Sequence, residues 1–208
     1  SVLGFIETLQ GPAKDDEAAR EKFLGIMADQ ARRMARLVGD LLSLSRIEQN
    51  QHIRPNTPID LRSIVSQIVD GLRAMAQESA VDLRLMPGGP VAVLGDRDEL
   101  LRLAENLIEN AIKYGAPAPV DVSVEMRDGQ GWLTVRDHGP GIAAEHLPRL
   151  TERFYRVDAG ASRAKGGTGL GLALVKHLVA RQRGQLSIQS ELGKGAAFAV
   201  SVPLAGEA

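Results

Sequence analysis

The sequence contains no cysteine, and neither its acidic nor its basic residues predominate. Without cysteine the chain cannot form a disulfide scaffold, a zinc–thiolate site or a cysteine nucleophile. Its 25 lysine and arginine residues nearly balance 26 aspartate and glutamate residues, which leaves a net charge of −1. This balance argues against a nucleic-acid partner and against binding to an anionic membrane surface. No apolar run approaches the ~18 residues of a membrane-spanning helix, and the sequence has no signal-peptide pattern.

The remaining composition is that of a globular chain with enough apolar residues for a substantial core. The chain has 208 residues, of which 44% are hydrophobic and 25% charged, so it exceeds one typical domain. It lacks an initiator methionine and opens inside an apolar helical pattern, SVLGFIETL, which predicts a piece of a longer protein. The absence of cysteine also fits a reducing cytoplasm as its location.

Two helices are predicted at the start of the chain. A helical apolar pattern runs from Val2 to Leu9, and Gly11-Pro12 ends it because proline cannot continue a helix. Asp15 or Asp16 can cap a second, longer helix that reaches about Gln49. This helix either packs singly on a globular core or belongs to a helical hairpin that dimerises into a four-helix bundle. Its apolar positions follow a heptad pattern at Phe23, Met27, Met34, Leu37, Leu41 and Leu44.

The two predicted helices differ greatly in length. The first has about 10 residues and spans ~15 Å, whereas the second has about 35 residues and spans ~50 Å. Folded back on the second helix, the first covers only about a third of it. We therefore expect a group of apolar residues to need a partner from missing upstream sequence, namely Leu37, Leu41, Leu42, Leu44 and Ile47.

A segment rich in helix and strand breakers, HIRPNTP at 52–58, separates these helices from a region of alternating helix and strand patterns. Helices are predicted at Leu61–Gln77, from the Asp96 cap to Tyr114, and at Leu172–Arg183. Strands are predicted at Val81–Leu85, Val91–Leu94, Val120–Arg127, Trp132–Asp137, Gln185–Ser190 and Ala196–Pro203. Helices over an antiparallel sheet indicate an α+β sandwich. The predicted division is a helical hairpin at 1–52, a linker at 53–59 and an α+β domain at 60–208.

The helix that ends at Tyr114 carries a polar stripe beside its apolar one. Asn106, Asn110 and Lys113 lie at positions i, i+4 and i+7, so they share one face. An amide oxygen can ligate a magnesium ion that is held mainly by substrate phosphates, and a lysine can neutralise those phosphates. The alternative is an ordinary solvated helix face.

Two glycine-rich segments follow. In Asp137–Ile142 (DHGPGI), the aspartate can accept a hydrogen bond from an exocyclic amine such as that of adenine, although the segment could also be a simple turn. Gly166–Leu172 (GGTGLGL) runs directly into a helix, an arrangement that can cradle phosphate. It lacks the ending of a Walker loop and follows no strand, which disfavours both common nucleotide folds.

The segment between these two motifs, Leu150–Lys165, is rich in basic residues and has no regular pattern. We interpret it as a lid over the phosphates of a nucleotide. The alternative is a solvated basic loop. Its basic residues include Arg153, Arg156, Arg163 and Lys165.

The order of the motifs is more specific than any one of them. Together Glu105–Tyr114 (ENLIENAIKY), DHGPGI, Thr151–Asp158 (TERFYRVD) and GGTGLGL resemble the ATP-binding domain of bacterial sensor histidine kinases. Asp40–Glu48 (DLLSLSRIE) is similar to the end of that family's second dimerisation helix, so the resemblance covers nearly the whole chain. It implies a HisKA-type helical hairpin followed by a Bergerat-type α/β sandwich of the GHKL (HATPase) superfamily. The lid and SVLGFIETL are most similar to the phosphate-regulon sensor kinases.

The resemblance assigns roles to the matching positions. It implies that Asn110 ligates Mg²⁺ with Asn106 nearby. Lys113 would contact phosphate, Tyr114 the nucleoside and Asp137 the adenine. ATP-hydrolysing members of the superfamily have a glutamate where Asn106 stands, so slow hydrolysis and transfer to a protein acceptor are expected. The other implied ATP-binding positions are Gly139, Gly141, Ile142, Phe154, Arg156, Lys165, Gly167, Thr168, Gly169, Leu170, Gly171 and Leu172.

The family's acceptor histidine has no counterpart in the sequence. Alignment on SVLGF places it about eight positions before Ser1, in agreement with the missing helix cover. The sequence has four histidines, and none is followed by the acidic residue of the acceptor box. We expect all four to be structural or solvated, namely His52, His138, His146 and His177.

The predicted function is the catalytic core of a two-component kinase. It would transfer the γ-phosphoryl group of Mg·ATP to a histidine, for relay to the receiver domain of a response regulator. The resemblance further implies a homodimer formed through the hairpin, and a cytoplasmic piece of a protein anchored in a bacterial inner membrane. The alternatives are a GHKL ATPase, such as a chaperone or mismatch-repair protein, and a dimerisation module that binds ATP without transfer.

Overall fold

The computed structural model describes residues 2–11, 16–49, 54–158 and 167–206. These residues form two compact units, Ser1–Leu42 and Ser43–Ala208. Four of the sequence predictions fall outside the described residues: the proline at 12, the Asp15 cap, His52, and the lid residues Arg163 and Lys165 with Gly166.

The first unit contains the predicted helical hairpin. Helix α1 (Val2–Gln10) ends before the predicted breaker, and α2 (Glu17–Gln49) begins after Asp16. The Asp16 carboxylate accepts a hydrogen bond from the Ala19 amide at 2.9 Å, so Asp16 caps α2. The rings of Phe5 and Phe23 stack with centroids 5.3 Å apart, which joins the two helices through their apolar faces.

The last turns of α2 belong to the second unit. Leu44 and Ile47 are buried, and Ile47 is part of the core of that unit. On the same stretch, Arg102 donates a hydrogen bond to the Ser43 hydroxyl. The expectation that Leu44 and Ile47 need a partner from upstream sequence is therefore wrong, because both are buried within the chain and Ile47 packs in the core of the second unit. Leu41 and Leu42 remain exposed.

Truncation of Ile47 to alanine tests this placement. Ile47 is 5% exposed in the core of the second unit, so Ile47→Ala is expected to lower its free energy of unfolding by about 2–4 kcal/mol. Met126→Ala is the control, because Met126 is 65% exposed on the same unit and should change the value by less than about 0.5 kcal/mol. Urea unfolding followed by the fluorescence of Trp132, the single tryptophan, measures both. Equal effects of the two substitutions would contradict the assignment of Ile47 to this core.

The described residues of the second unit form seven strands, three further α-helices and one short 3₁₀ helix. Five strands form a sheet in the order β2-β4-β5-β7-β6, and β1 pairs with β3 in a separate two-stranded sheet. Neighbouring strands are antiparallel except β2 and β4, which are parallel. The strands are β1 (Thr57–Asp60), β2 (Leu83–Leu85), β3 (Ala92–Gly95), β4 (Val120–Arg127), β5 (Gln130–Asp137), β6 (Leu186–Ser190) and β7 (Ala196–Pro203). The helices are α3 (Leu61–Glu78), α4 (Arg97–Gly115), the 3₁₀ helix Ala144–Arg149 and α5 (Gly171–Arg181).

Local sequence signals explain where several of these elements begin and turn. Asp60 caps α3 through the Arg62 amide, and Asp96 caps α4 as predicted. The β4–β5 hairpin turns at Asp128 and Gly129, whose φ angles of 52° and 69° match the left-handed conformation of such turns. The predicted hairpin is confirmed, with β5 starting two residues earlier than predicted and the strands paired from Val120–Asp137 to Arg127–Gln130.

The three long helices of this unit cover one face of the five-stranded sheet. Alternate residues of the central strands are buried and meet the apolar stripes of α3, α4 and α5 in one core. This arrangement confirms the predicted α+β sandwich. Among the described residues, none of the helices has the length and apolar character that crossing a membrane requires.

The structure departs most from the predicted elements in three places, and the other element ends differ by no more than two residues. The last residues of the predicted linker form β1, whose Pro58 is tolerated because β1 has only one neighbouring strand. The strand predicted at Val81–Leu85 begins only at Leu83, since the Val81 amide bonds to Ala76 at the end of α3. The 3₁₀ helix Ala144–Arg149 was not predicted, and Pro148 lies within it.

Candidate functional site

The polar stripe of α4 faces the first residue of α5. Asn106 donates from Nδ2 to the Arg102 carbonyl at 2.8 Å, which fixes the direction of its amide. A Cβ atom placed on Gly171 would lie 2.6 Å from Asn106 Oδ1 and 3.8 Å from Asn110 Nδ2. The glycine therefore lets the start of α5 approach both asparagines, and the two predicted motifs meet.

Among the described residues, the start of α5 is a helix N-terminus of the kind that suits an anion. Aspartate side chains cap α3 and α4, but no side chain caps α5. Backbone amides at the start of a helix carry partial positive charge and attract phosphate groups. The Leu170 side chain is buried and that of Leu172 packs partly buried against the core, so their backbone groups are the parts suited to a polar ligand.

The residues around Phe154 lie against the glycine-rich loop. The Phe154 amide donates to the Gly169 carbonyl at 2.8 Å, and Arg156 donates to the Gly167 carbonyl at 2.6 Å. Gly169 has a φ of +74°, and a Cβ there would lie 2.9 Å from Phe154 Cα, so glycine is required. Arg156 Nε is buried and has no hydrogen-bond partner among the described residues. An anionic ligand beside the loop would satisfy this N–H.

Two residues to which the sequence motifs assign no role hold the base of this segment. His146 Nδ1 and the Tyr155 hydroxyl are 2.7 Å apart, and the Arg149 guanidinium lies 4.2 Å from the centre of the Tyr155 ring. These contacts join the 3₁₀ helix to the segment that carries Phe154 and Arg156. The 3₁₀ helix has no periodic pattern long enough to reveal such contacts in the sequence.

Asp137 is a buried carboxylate at the end of β5. It is 6% exposed, and its Oδ1 accepts hydrogen bonds from the Gly139 amide at 3.0 Å and the Ala196 amide at 3.3 Å. Burial raises the pKa of Asp137 above its ordinary value, while these two amides and the nearby His138 act against the shift. The backbone bonds converge on Oδ1, so Oδ2 is the oxygen suited to accept a hydrogen bond from a ligand.

Glycines form the walls around Asp137. A Cβ on Gly139 would lie 2.6 Å from Gly115 Cα, and one on Gly115 would lie 2.6 Å from Asp137 Cβ. Gly141 has a φ of +70°, and its Cβ would lie 2.1 Å from the Glu191 carbonyl oxygen. Only residues without side chains fit these positions, which leaves backbone surfaces suited to a flat ring.

The end of α4 adjoins this cluster. Gly115 contacts Asp137, and the preceding Tyr114 is 39% exposed at the same end of the helix. The Ile142 amide donates to the Ser190 hydroxyl at 2.8 Å, which fixes the far end of the DHGPGI segment. The α4 helix thus extends from the asparagines beside α5 to the carboxylate of Asp137.

The described histidines make contacts of their own. His138 Nε2 lies 2.7 Å from Asp121 Oδ2 across the β4–β5 pair, and His146 contacts Tyr155. His177 is half-buried on α5. The roles expected for the histidines and for the nucleotide-site residues remain predictions, because no ligand tests them.

Any metal ion at this site would depend on the nucleotide for most of its ligands. The described residues contain no group of three or more histidine, aspartate or glutamate side chains placed to hold a metal. The amide oxygens of the α4 stripe are ligands that suit Mg²⁺, which commonly binds through substrate phosphates and few protein groups. The residues present therefore fit a magnesium ion brought by a nucleotide.

Comparisons with known proteins agree with the order of the two units. The family described as histidine kinase-, DNA gyrase B-, and HSP90-like ATPase matches residues 95–206. The His Kinase A (phospho-acceptor) domain matches residues 1–50.

Two curated relatives resemble nearly the whole chain. The sensor-like histidine kinase SenX3 of Mycolicibacterium smegmatis is 38% identical over 98% of this chain and 52% of its own length. The phosphate regulon sensor protein PhoR of Pseudomonas aeruginosa is 37% identical over 95% of this chain and 45% of its own length. The chain thus spans about half the length of these relatives.

A solved structure resembles the fold in three dimensions. Full-length ShkA in complex with AMPPNP aligns over 89% of this chain and 39% of its own length, with a TM-score of 0.75 and 26% identity. The similarity therefore covers most of the two units described here.

Proposed function

The chain belongs to the sensor histidine kinases, and from this premise we propose that it binds Mg·ATP and transfers the γ-phosphoryl group to a histidine of an acceptor helix. The observation that carries the proposal is the convergence of three features along α4. They are the buried Asp137, the asparagine stripe and the uncapped start of α5. The neighbour ShkA, described as a complex with AMPPNP, supports binding of an adenine nucleotide in this fold.

Different residues of the site would bind the adenine and the phosphates of the nucleotide. Asp137 Oδ2 would accept a hydrogen bond from the adenine amino group, between walls formed by Gly115, Gly139 and Gly141. The amides at the start of α5 and the buried Arg156 N–H would bind phosphate oxygens.

A bound magnesium ion would neutralise phosphate charge, and Asn110 would provide its protein ligand. Asn106 holds its amide towards Gly171 and cannot act as a general base, since an amide does not accept a proton at neutral pH. The site is therefore suited to positioning and charge neutralisation more than to water activation.

The partners of the whole protein follow from the family. We propose that the hairpin of the first unit pairs with a second copy, because Met34, Val38, Leu41 and Leu42 are exposed on α2. A response regulator would receive the phosphoryl group. The phosphate-sensor relative suggests phosphate availability as the signal. A membrane anchor for the whole protein is proposed from the family resemblance alone.

Titration calorimetry with AMPPNP tests the nucleotide site. We expect Mg-dependent binding by the chain, and Asn110→Ala should weaken it about tenfold or more because the metal loses its protein ligand. Labelled ATP then tests transfer to a longer chain that includes the acceptor helix and carries Asp137→Asn. An acid-labile label on that chain is the expected result, since phosphohistidine hydrolyses in acid.

The outcomes separate the proposed function from its alternatives. Binding without transfer would favour a nucleotide-binding dimerisation module, and rapid release of phosphate without an acceptor would favour an ATPase. No binding by the folded chain would overturn the nucleotide site itself.

A further inference from the structure

Glu109 places a carboxylate inside the predicted Mg·ATP site, where the sequence motifs assign no role to it. It lies one turn after Asn106 and one turn before Lys113 on α4, so it shares their face. Glu109 Oε1 lies 2.7 Å from Lys113 Nζ. The two side chains are 30% and 20% exposed, respectively, so water screens this pair less than it screens the surface ion pairs.

This ion pair determines the local charge at the place where the phosphates of a nucleotide would bind. Lys113 is the cation expected to contact phosphate, yet its charge is already matched by Glu109. A phosphate group without metal must compete with the carboxylate for Lys113 and is also repelled by it. The dipole and the first amides of α5 still attract the phosphates, but the negative charge of Glu109 opposes this attraction.

For a nucleotide that carries magnesium, the Glu109 carboxylate has the opposite effect on binding. Mg²⁺ brings two positive charges to the neighbourhood of Asn110, the residue that follows Glu109 in the chain. Magnesium usually keeps several water molecules, and a nearby carboxylate can accept hydrogen bonds from such water. The same carboxylate therefore disfavours a bare polyphosphate and favours a metal-bound one.

We infer that Glu109 is a positioning residue that makes nucleotide binding depend on magnesium, by holding Lys113 in an ion pair until a metal-bound polyphosphate arrives. This inference rests on the proposed function, because it concerns the same site. The alternative is that the pair is purely structural, because Glu–Lys pairs four residues apart also stabilise helices slightly without any ligand. That alternative predicts no effect on the magnesium dependence of binding.

The experiment compares AMPPNP affinity with Mg²⁺ and with EDTA for the unchanged chain, Glu109→Gln and Glu125→Gln. Glutamine keeps the shape of the side chain and removes its charge. Glu125 is a matched control because it is an exposed carboxylate, 3.7 Å from Arg127 on β4, whose loss changes the net charge equally. Circular dichroism and thermal unfolding verify that the variants are folded.

We expect Glu109→Gln to raise the metal-free affinity about five- to tenfold and to change the Mg-bound affinity less than about twofold. The ratio of the two affinities should then fall by about the same factor, while Glu125→Gln leaves it unchanged. Adding Lys113→Gln to Glu109→Gln should remove the gain, because the released lysine produces it.

Two results would overturn the inference in distinguishable ways. If Glu109→Gln binds nucleotide with the ratio of the unchanged chain, the ion pair is structural and the proposed function stands. If neither the unchanged chain nor the variants bind AMPPNP under either condition, the proposed function fails and the inference fails with it.

Discussion

Asp137→Asn is expected to weaken nucleotide binding by about thirtyfold or more and at the same time to stabilise the fold near neutral pH. A hydrogen bond to a charged acceptor contributes about 1.5–3 kcal/mol, which corresponds to roughly 10–150-fold in affinity. Asparagine keeps an Oδ1 that can accept the Gly139 and Ala196 amides. It replaces Oδ2 with an NH₂ group, which would oppose the adenine amino group as one donor against another.

The stability gain follows from the raised pKa of Asp137. Burial raises this pKa above the ordinary value of 3.8, so the folded state holds the proton more tightly than the unfolded state. The stabilisation by the protonated carboxyl is complete below pH 3.8 and is lost as the pH rises through the folded-state pKa. The asparagine introduced by the substitution does not ionise, so the advantage of the variant should be small in acid and grow as the pH rises.

Thermal unfolding between about pH 3.5 and 8, together with AMPPNP titration, measures both effects. Asp128→Asn is the control, because Asp128 is an exposed turn residue whose φ of 52° asparagine also adopts. It should change neither affinity nor the pH dependence of stability. A loss of stability in Asp137→Asn at neutral pH would show that the amides at Oδ1 outweigh the burial of charge.

Gly171→Ala is expected to reduce AMPPNP affinity about tenfold or more while the fold persists. The added methyl group would lie 2.6 Å from Asn106 Oδ1, closer than atoms of these types approach. The backbone of Gly171 is not in the left-handed region, so alanine itself is not strained there. The side-chain amide of Asn106 must move instead. It then leaves the position beside the first amides of α5 that it occupies in the proposed nucleotide site.

Gly71→Ala on α3 provides the matched control for this substitution. Gly71 is an exposed residue in the interior of a helix, and a Cβ there meets no atom within 4 Å. Alanine should raise the free energy of unfolding by about 0.5–1 kcal/mol and leave AMPPNP affinity unchanged. Affinity measured by calorimetry and stability measured by urea unfolding give the comparison. Unchanged binding in Gly171→Ala would remove Asn106 from the nucleotide site.

Local patterns account for the elements that were predicted correctly. The apolar periodicity of α3 and α4 and the Asp96 cap act within one or two turns, so they are visible in the sequence. The β4–β5 hairpin is equally local, because Asp128-Gly129 fixes both its turn and its register. The resemblance to the kinase family rests on motifs of the same kind, each short and each in a fixed order.

The elements that were missed depend on partners distant in the chain. Strand β1 lies in a proline-containing segment and exists because β3 pairs with it more than 30 residues later, as in the Thr57–Gly95 pair. The parallel pairing of β2 with β4 is likewise not predicted by any periodic pattern in the sequence. Bringing such distant segments together costs chain entropy, and this cost is offset only by the packing of the whole domain.

The sequence by itself determined the family of this protein, its order of a helical hairpin and an α+β domain, and the segments that we propose as the nucleotide site, because short motifs and local periodicity encode these. Only the tertiary structure decided that Leu44 and Ile47 are buried, that Gly171 contacts Asn106, and that burial raises the pKa of Asp137. It also placed His146 against Tyr155. These facts depend on which distant side chains share a contact and on how much water is excluded around them, and neither quantity is a property of a local stretch of sequence.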